Sequence, residues 1–428
     1  MNLAIAAATN MEAWQVDYIA AYLNSKPQAT VFIELPDGAK QEGKVGRLDR
    51  TLYGTMDGAN NWWGTLDKEM SELGYYRSKA DLSVHSRHGN GDITTTSTYT
   101  DDTTGISSKE EAKRAKEELG WQYETKDLGD ANLVLGILIN RNRDAGTISI
   151  LQHAYLKWVL ECFNMTDCNP HTMPLPPSTT LTKEQAPQTA KEHAFMADKP
   201  YRELLGSIMY AQIAMRPDLS YAVSTLSKFA SNPGNIHWNA LTHILRYIRG
   251  TLDFRITYGG KYKDLAPIGY VDADYAGDLD NWCSCAGHVF IQASGPTAWG
   301  SQYQPTIALS TTEAEYMALT RAMKQILWMH AAMDEVGYPQ PKPAILYNDN
   351  SGAILLTQNT KNNTKVKHID ICYHYIHEQV EEGDIEVRRV TSANNLANMF
   401  MKQLPRVAFQ KHCAALQLYK SPSSQGGC

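Results

Sequence analysis

The sequence predicts a multidomain chain of α/β and α+β class, and three observations carry that expectation. The 428 residues are 43% apolar and 20% charged, a globular composition that fills two or three domains at about 100–200 residues each. From Ile268 onward, strand-like and helical stretches alternate, the pattern of a mixed sheet covered by helices. Between 166 and 200 neither period is sustained and Pro176 stands beside Pro177, so a linker separates two such regions.

In chain order, residues 12–24 read as a short strand running into a turn or helix. Tyr99-Thr-Asp-Asp102 lies in a Thr-rich stretch suited to a β-hairpin, and 108–119 is a charged helix of high intrinsic propensity. Residues 131–151 read as two strands joined by a turn at Asp144-Ala-Gly146, and a helix near 153–164 closes a first domain, 1–165. After the linker, 201–214, 217–231 and 236–250 are three helices, with Pro217 at a helix start and Pro233-Gly234 as a break. With the residues up to 262 they form a helical connection, read as a tether between domains.

The domain 263–405 then runs strand 268–274, strand 287–293, strand 297–299 into 307–309, and helix 311–335. Strand 344–348, helices 351–358 and 366–381, strand 385–391 and a last helix 394–403 complete it. Residues 406–428 are assigned to a largely disordered tail, clearest in Ser421-Pro-Ser-Ser-Gln-Gly-Gly-Cys428.

The formal charge of −6 excludes a broad basic coat, so any contact with nucleic acid must be local. Seven cysteines without a ladder of spacings, odd in number, argue against a disulfide framework and for a reducing, intracellular compartment. Cys283-Ser-Cys285, His374 and His377 lack a second pair at structural zinc spacing. No stretch approaches eighteen consecutive apolar residues, so no membrane partner is expected.

Two acidic constellations carry the chemistry. Asp17 ends one strand and Asp101-Asp102 sits on a hairpin; clustered carboxylates of this kind hold hard Mg²⁺ ions that stabilise attacking and leaving oxygens in nucleotidyl transfer. Alone, a Tyr-x-Asp-Asp match is weak, because surface loops rich in Asp and Thr are common. The second set is Asp272 in Gly269-Tyr-Val-Asp-Ala-Asp274, Glu315 after a capping box opened by Ser310, and Asp349 in Leu346-Tyr-Asn-Asp-Asn350. Three carboxylates then leave separate elements that one mixed sheet can bring together.

Gln15-Val-Asp-Tyr-Ile-Ala-Ala-Tyr-Leu-Asn24, Leu52-Tyr-Gly54, Tyr99-Thr-Asp-Asp102, Lys126-Asp-Leu-Gly129 and Leu135-Gly-Ile137 follow one another in the order and spacing of copia-type retrotransposon reverse transcriptases. The resemblance continues through Gly206-Ser-Ile-Met-Tyr-Ala211, Arg216-Pro-Asp218 and Pro233-Gly-Asn-Ile-His-Trp238 and covers nearly the whole chain. It implies a partial polymerase palm, a connection, and an RNase H-like domain in which Asp, Glu and Asp recur in order. By that resemblance Asp17, Asp101 and Asp102 are palm metal ligands and Asp272, Glu315 and Asp349 are RNase H ligands, with two Mg²⁺ or Mn²⁺ ions per site. It also implies an RNA–DNA hybrid or primer-template as partner. Tyr22 matches the position expected beneath the incoming sugar; the alternative is an ordinary core tyrosine.

The departures from the family pattern matter as much. Where the family continues Leu-Tyr-Gly with Lys-Gln and then Pro-Arg, this chain has Thr55-Met-Asp57-Gly-Ala59-Asn60, which lowers the favourable potential for phosphates. The fingers subdomain is expected before residue 1. In Asn395-Leu-Ala-Asn398, Asn398 stands where the family places a fourth carboxylate, removing a unit of charge from the site; asparagine there also suits a helix-start cap. In Lys367-His-Ile-Asp-Ile-Cys-Tyr-His374, Cys372 replaces the family's arginine, and His368 and His374 either face nucleic acid or pack. The expected function is ancestral RNA-directed DNA synthesis and hydrolysis of RNA in hybrids, with both activities impaired; the alternative is a non-catalytic, degenerate or co-opted binding protein.

Overall fold

The computed structural model describes residues 1–89, 91–176, 179–358 and 367–420, with side chains described outside 367–373 and Lys420. Two compact units make up the chain. One is Asn2–Val134 with Ala331–Pro339; the other is Met1, Leu135–His330 and the chain from Gln340 onward.

In the first unit six strands pair in the order Tyr76–Arg77, Val84–Gly89, Asp92–Tyr99, Asp102–Ser107, Glu12–Tyr18, Thr125–Asp130. Side chains of a strand alternate between faces, so Trp14, Val16 and Tyr18 enter the core while Asp17 lies on the other face. Helices Gly58–Glu72 and Lys109–Leu119 close that core with Trp62, Leu66 and Met70 from one and Ala112, Ala115 and Leu119 from the other. Gly105 makes room for the Trp14 indole, since a Cβ there would stand 2.1 Å from it. Ser108 caps the charged helix by accepting from the Glu111 amide, and Arg87 is buried between Glu118 and Glu111. The sheet interior is unusually polar: Thr94, Thr95, Thr96, Thr98 and Thr103 are all buried.

In the second unit the strands run in the order Gly295–Tyr303, Cys285–Gln292, Ile268–Asp274, Ala344–Asn348, Ile385–Arg389. The first three pair antiparallel and the last two join in parallel. Val271, Phe290, Leu346, Leu319, Met323 and Ile326 form its apolar core. This is the mixed sheet with helices expected from the alternation of periods. The third strand is continuous from Gly295 to Tyr303, and the expected last helix is a 3₁₀ turn, Ser392–Asn394, followed by the short helix Asn398–Met401.

Tertiary pairing departs from the local reading in four places. Strands Ile137–Asn142 and Thr147–Leu151, read as closing the first domain, pair with each other and onward with Phe254–Gly259 and Tyr419–Lys420. An isolated hairpin is marginal in water, and its further partners lie too far along the chain for local patterning to reveal.

The segment 166–200, read as a linker, holds the capped helix Ala190–Ala197 and buries Met173, Leu175 and Leu181. Its close approach to Gly234, where a Cβ would be 1.8 Å from the Gln185 carbonyl oxygen, explains that glycine. The three helices read as a tether share a unit with the mixed sheet: Trp299 Nε1 donates to the Gln212 carbonyl at 3.0 Å. They are locked internally by buried Arg216, Asp218 and Tyr247, with Tyr247 Oη donating to Asp218 Oδ2 at 2.6 Å.

Residues 406–420, assigned to a disordered tail, instead form helix Arg406–Ala415 and strand Tyr419–Lys420. Phe409, His412, Cys413 and Leu416 are buried at helical spacing, a stripe one element long that the polar end of the chain masked. Ser421–Cys428 lie outside the described residues.

Candidate functional site

Asp17, Asp101 and Asp102 come from one strand pair. Asp17 is in register with Asp102 across Glu12–Tyr18 and Asp102–Ser107, and Asp101 lies in the turn before it. That turn is pinned twice: Trp62 Nε1 donates to the Thr100 carbonyl at 2.6 Å, and the Tyr18 amide donates to the Asp101 carbonyl at 2.8 Å. Thr100 adopts φ +60°, the left-handed region that L residues rarely occupy.

Gln15 Nε2 donates to Asp102 Oδ1 at 2.7 Å. Burial, and to a lesser degree Asp101, raises the Asp17 carboxyl, with Lys126 opposing. Burial also raises Asp102 against the Gln15 bond. Tyr22 stacks on the exposed Tyr53 with centroids 4.3 Å apart; after burial, the largest influence raising the Tyr53 hydroxyl is Asp101, which sets the stack beside the aspartates. Asp57, one of the departures, precedes helix Gly58–Glu72 and accepts from Asn61 Nδ2 at 2.8 Å.

The second constellation is tighter. Strands Ile268–Asp274 and Ala344–Asn348 are parallel neighbours, so Asp272 and Asp349 emerge at the same end, and Glu315 reaches them from the start of helix Thr311–Glu335. Among the described residues, Asp272, Glu315 and Asp349 are the group of three acidic, histidine or cysteine side chains whose ligand atoms all lie within 4.8 Å of one another. Asp17, Asp101 and Asp102 do not converge in this way.

Asp272 Oδ1 accepts from the Ala273 amide at 3.0 Å, while its Oδ2 is buried without a hydrogen-bond partner. Burial pushes the Asp272 and Glu315 carboxyls up; Glu315 and then Asp349 add to this at Asp272, and the Asn348 bond opposes it at Glu315. A buried acceptor with no donor beside two further carboxylates is the environment a divalent cation fits.

Asn398 is buried at the start of its short helix. It does not cap helix amides. Its Nδ2 donates to the carbonyls of Ser392 at 2.7 Å and Asn395 at 3.2 Å. Sequence reasoning missed Asn348, whose Nδ2 donates to Glu315 Oε2 at 3.0 Å and the Val271 carbonyl at 3.2 Å, and Asn395, whose Nδ2 donates to the same carbonyl at 2.9 Å. The signal for Asn348 was its place beside Asp349; nothing local pointed to the role of Asn395. Lys402 was also missed; its charge draws Asp272 and Asp274 down against burial.

Three further acidic residues near these motifs have partners of their own. Lys228 Nζ reaches Asp278 at 2.7 Å, Asp280 accepts from the Lys183 amide at 2.8 Å, and Glu313 accepts from the Leu309 amide at 2.8 Å. His374 is exposed, while the side chains of His368, Asp370 and Cys372 lie outside those described.

The family described as Reverse transcriptase (RNA-dependent DNA polymerase) matches residues 1–177. The retrovirus-related Pol polyprotein from transposon TNT 1-94 of Nicotiana tabacum is 35% identical over 95% of this chain and 31% of its own length. The chain belongs to the Pol polyprotein family of copia-type retrotransposons. A second copia-type relative, the Pol polyprotein from transposon RE2 of Arabidopsis thaliana, is 30% identical over 96% of this chain and 28% of its own length, so the chain spans about a third of these relatives. Among solved structures, the foamy viral protease-reverse transcriptase in complex with RNA/DNA hybrid matches 92% of this copia-type chain and 45% of that chain at 11% identity, with a TM-score of 0.45. Among its described residues, no helix is long and apolar enough to cross a membrane.

Proposed function

We propose that this copia-type Pol chain binds RNA–DNA hybrids and hydrolyses their RNA strand at Asp272, Glu315 and Asp349, with Mg²⁺ or Mn²⁺ as cofactor. The observation that carries this reading is the convergence of the three carboxylates around the unpartnered, buried Asp272 Oδ2. A divalent cation held there supplies charge stabilisation to the attacking and departing oxygens. The chain's own residues set the geometry: Asn348 holds Glu315 at the cluster and bridges the backbone around Asp349 by accepting from the Asn350 amide, 2.9 Å from Asn348 Oδ1. Lys402 adds a cation beside the carboxylates where a phosphate can settle.

In the palm, Asp17, Asp101 and Asp102 are the proposed ligands and Tyr22, stacked on Tyr53, the proposed platform under a nucleotide sugar. Their looser convergence, with Asp57 and Asn60 in place of phosphate-favouring residues, supports nucleic-acid binding there ahead of polymerisation. The test is incubation of purified chain with a labelled RNA–DNA hybrid in Mg²⁺ and in Mn²⁺. Cleavage that disappears in Asp349→Asn supports the reading; binding of the hybrid without cleavage supports the non-catalytic alternative and ends the hydrolytic one.

A further inference from the structure

Asn398 is the position at which the acidic site departs from its family pattern, and its hydrogen bonds say what it does instead. The amide group faces two carbonyl oxygens of its own loop, Ser392 at 2.7 Å and Asn395 at 3.2 Å, from a side chain only 4% exposed. A carbonyl oxygen accepts and never donates, so both contacts require the NH₂. A carboxylate in the same place would set an oxygen against two oxygens. If protonated it would keep one contact at most.

The loop so held is joined to the site. Asn395, fully buried, accepts from the Ala397 amide at 3.1 Å and donates to the Val271 carbonyl at 2.9 Å. Val271 immediately precedes Asp272, and its carbonyl also receives Asn348, the residue that holds Glu315. Two amides from distant segments therefore meet on one carbonyl beside the first ligand, and Asn398 closes the loop that carries one of them.

We infer that Asn398 is a positioning residue, an amide clasp that seats loop 392–398 against the Asp272 strand, and that the site is thereby built for one divalent cation held by three carboxylates. Three full negative charges balance one dication with one to spare, whereas two dications exceed them. The corollary is that an aspartate at 398 does not repair the site. It unseats the loop. This inference rests on the proposed cation site but not on cleavage.

The test is calorimetric Mn²⁺ titration and metal-free thermal unfolding of the full chain, its Asn398→Asp and Asn398→Ala variants, and Asp349→Asn to mark which binding event belongs to the cluster. The expected result is one event per chain abolished by Asp349→Asn. Asn398→Asp and Asn398→Ala should both lower the metal-free midpoint, Asp at least as much as Ala, with Mn²⁺ affinity at the cluster down roughly tenfold or more, the scale on which residues supporting ligands act. An unchanged midpoint in Asn398→Asp together with a second Asp349-dependent ion would overturn the clasp and show an ordinary vacant ligand position. Should no event depend on Asp349, the cation site itself fails, whatever the midpoints show. A lowered midpoint with unchanged affinity would confine Asn398 to stability and refute its positioning role.

Discussion

In the sheet that bears Asp17 and Asp102, the central strands bury Thr94, Thr95, Thr96 and Thr98, with Thr103 opposite; in the sheet that bears Asp272 the corresponding interior is Val271, Val289, Phe290, Leu346 and Val387. A buried aliphatic or aromatic side chain contributes about 1.5–3 kcal/mol, whereas a buried hydroxyl contributes little and needs a partner to avoid a cost. The hydroxyls find one another, Thr98 with Thr103 at 2.9 Å and Ser86 with Thr95 at 3.2 Å. Cohesion in that unit comes from Trp14, Val16 and Tyr18 of the Asp17 strand packed against Trp62, Leu66 and Leu119 on the helices. The acidic sites follow the same division. The one on the apolar sheet converges on a common point and is braced by buried amides; the one on the hydroxyl-lined sheet stays spread.

The sharpest way to break this contrast is by charge removal. Asp272→Asn is expected to lower hybrid cleavage about 100-fold or more, since loss of cation-mediated charge stabilisation amounts to several kcal/mol. Asp17→Asn leaves that rate unchanged. Single-turnover cleavage checks both, and equal losses would erase the distinction between the sites.

The next effect is on the cores themselves. Phe290→Ala, fully buried in the mixed sheet, is expected to cost about 3–5 kcal/mol. The double variant Ser86→Ala, Thr95→Val replaces both members of a weak hydroxyl pair and should shift stability by less than about 1 kcal/mol, toward the stable side. Urea unfolding followed separately in the two units reports both.

Glu69 supplies a pH-dependent version of the same comparison. Both its carboxylate oxygens are buried without partners in the first unit, and burial, then Glu72, pushes its carboxyl up to about 8. Because the folded state holds the proton more tightly than the unfolded one, the stability linked to it is full below the unfolded value near 4.5 and drains away as pH rises through about 8. Glu69→Leu should therefore melt higher than the parent at pH 8, with the difference closing toward pH 5. A constant difference across that range would show that Glu69 does not carry the proton.

The smallest effect expected is from Gln15→Ala, which removes the bond to Asp102 at 2.7 Å. It should lower the stability of the first unit by about 1 kcal/mol and leave the affinity of the Asp272 cluster unchanged, as Mn²⁺ titration can check.

Much of this molecule was determined locally. Helix Lys109–Leu119 with its Ser108 cap, helix Thr311–Glu335 with Glu313 on the Leu309 amide, and the hairpin at Thr100 were legible because capping, periodicity and turn chemistry act within a few residues. The order of Asp272, Glu315 and Asp349 was legible too, because each ends or begins an element whose period is plain. What tertiary structure alone decided depends on partners far away in the chain. Thr147–Leu151 found Phe254–Gly259, the 166–200 segment found Gly234, and Arg406–Ala415 found a place in a core. Asn398 shows the division most clearly: the family resemblance implied a missing charge there, and only the fold brings the Ser392 and Asn395 carbonyls around it to accept from its amide.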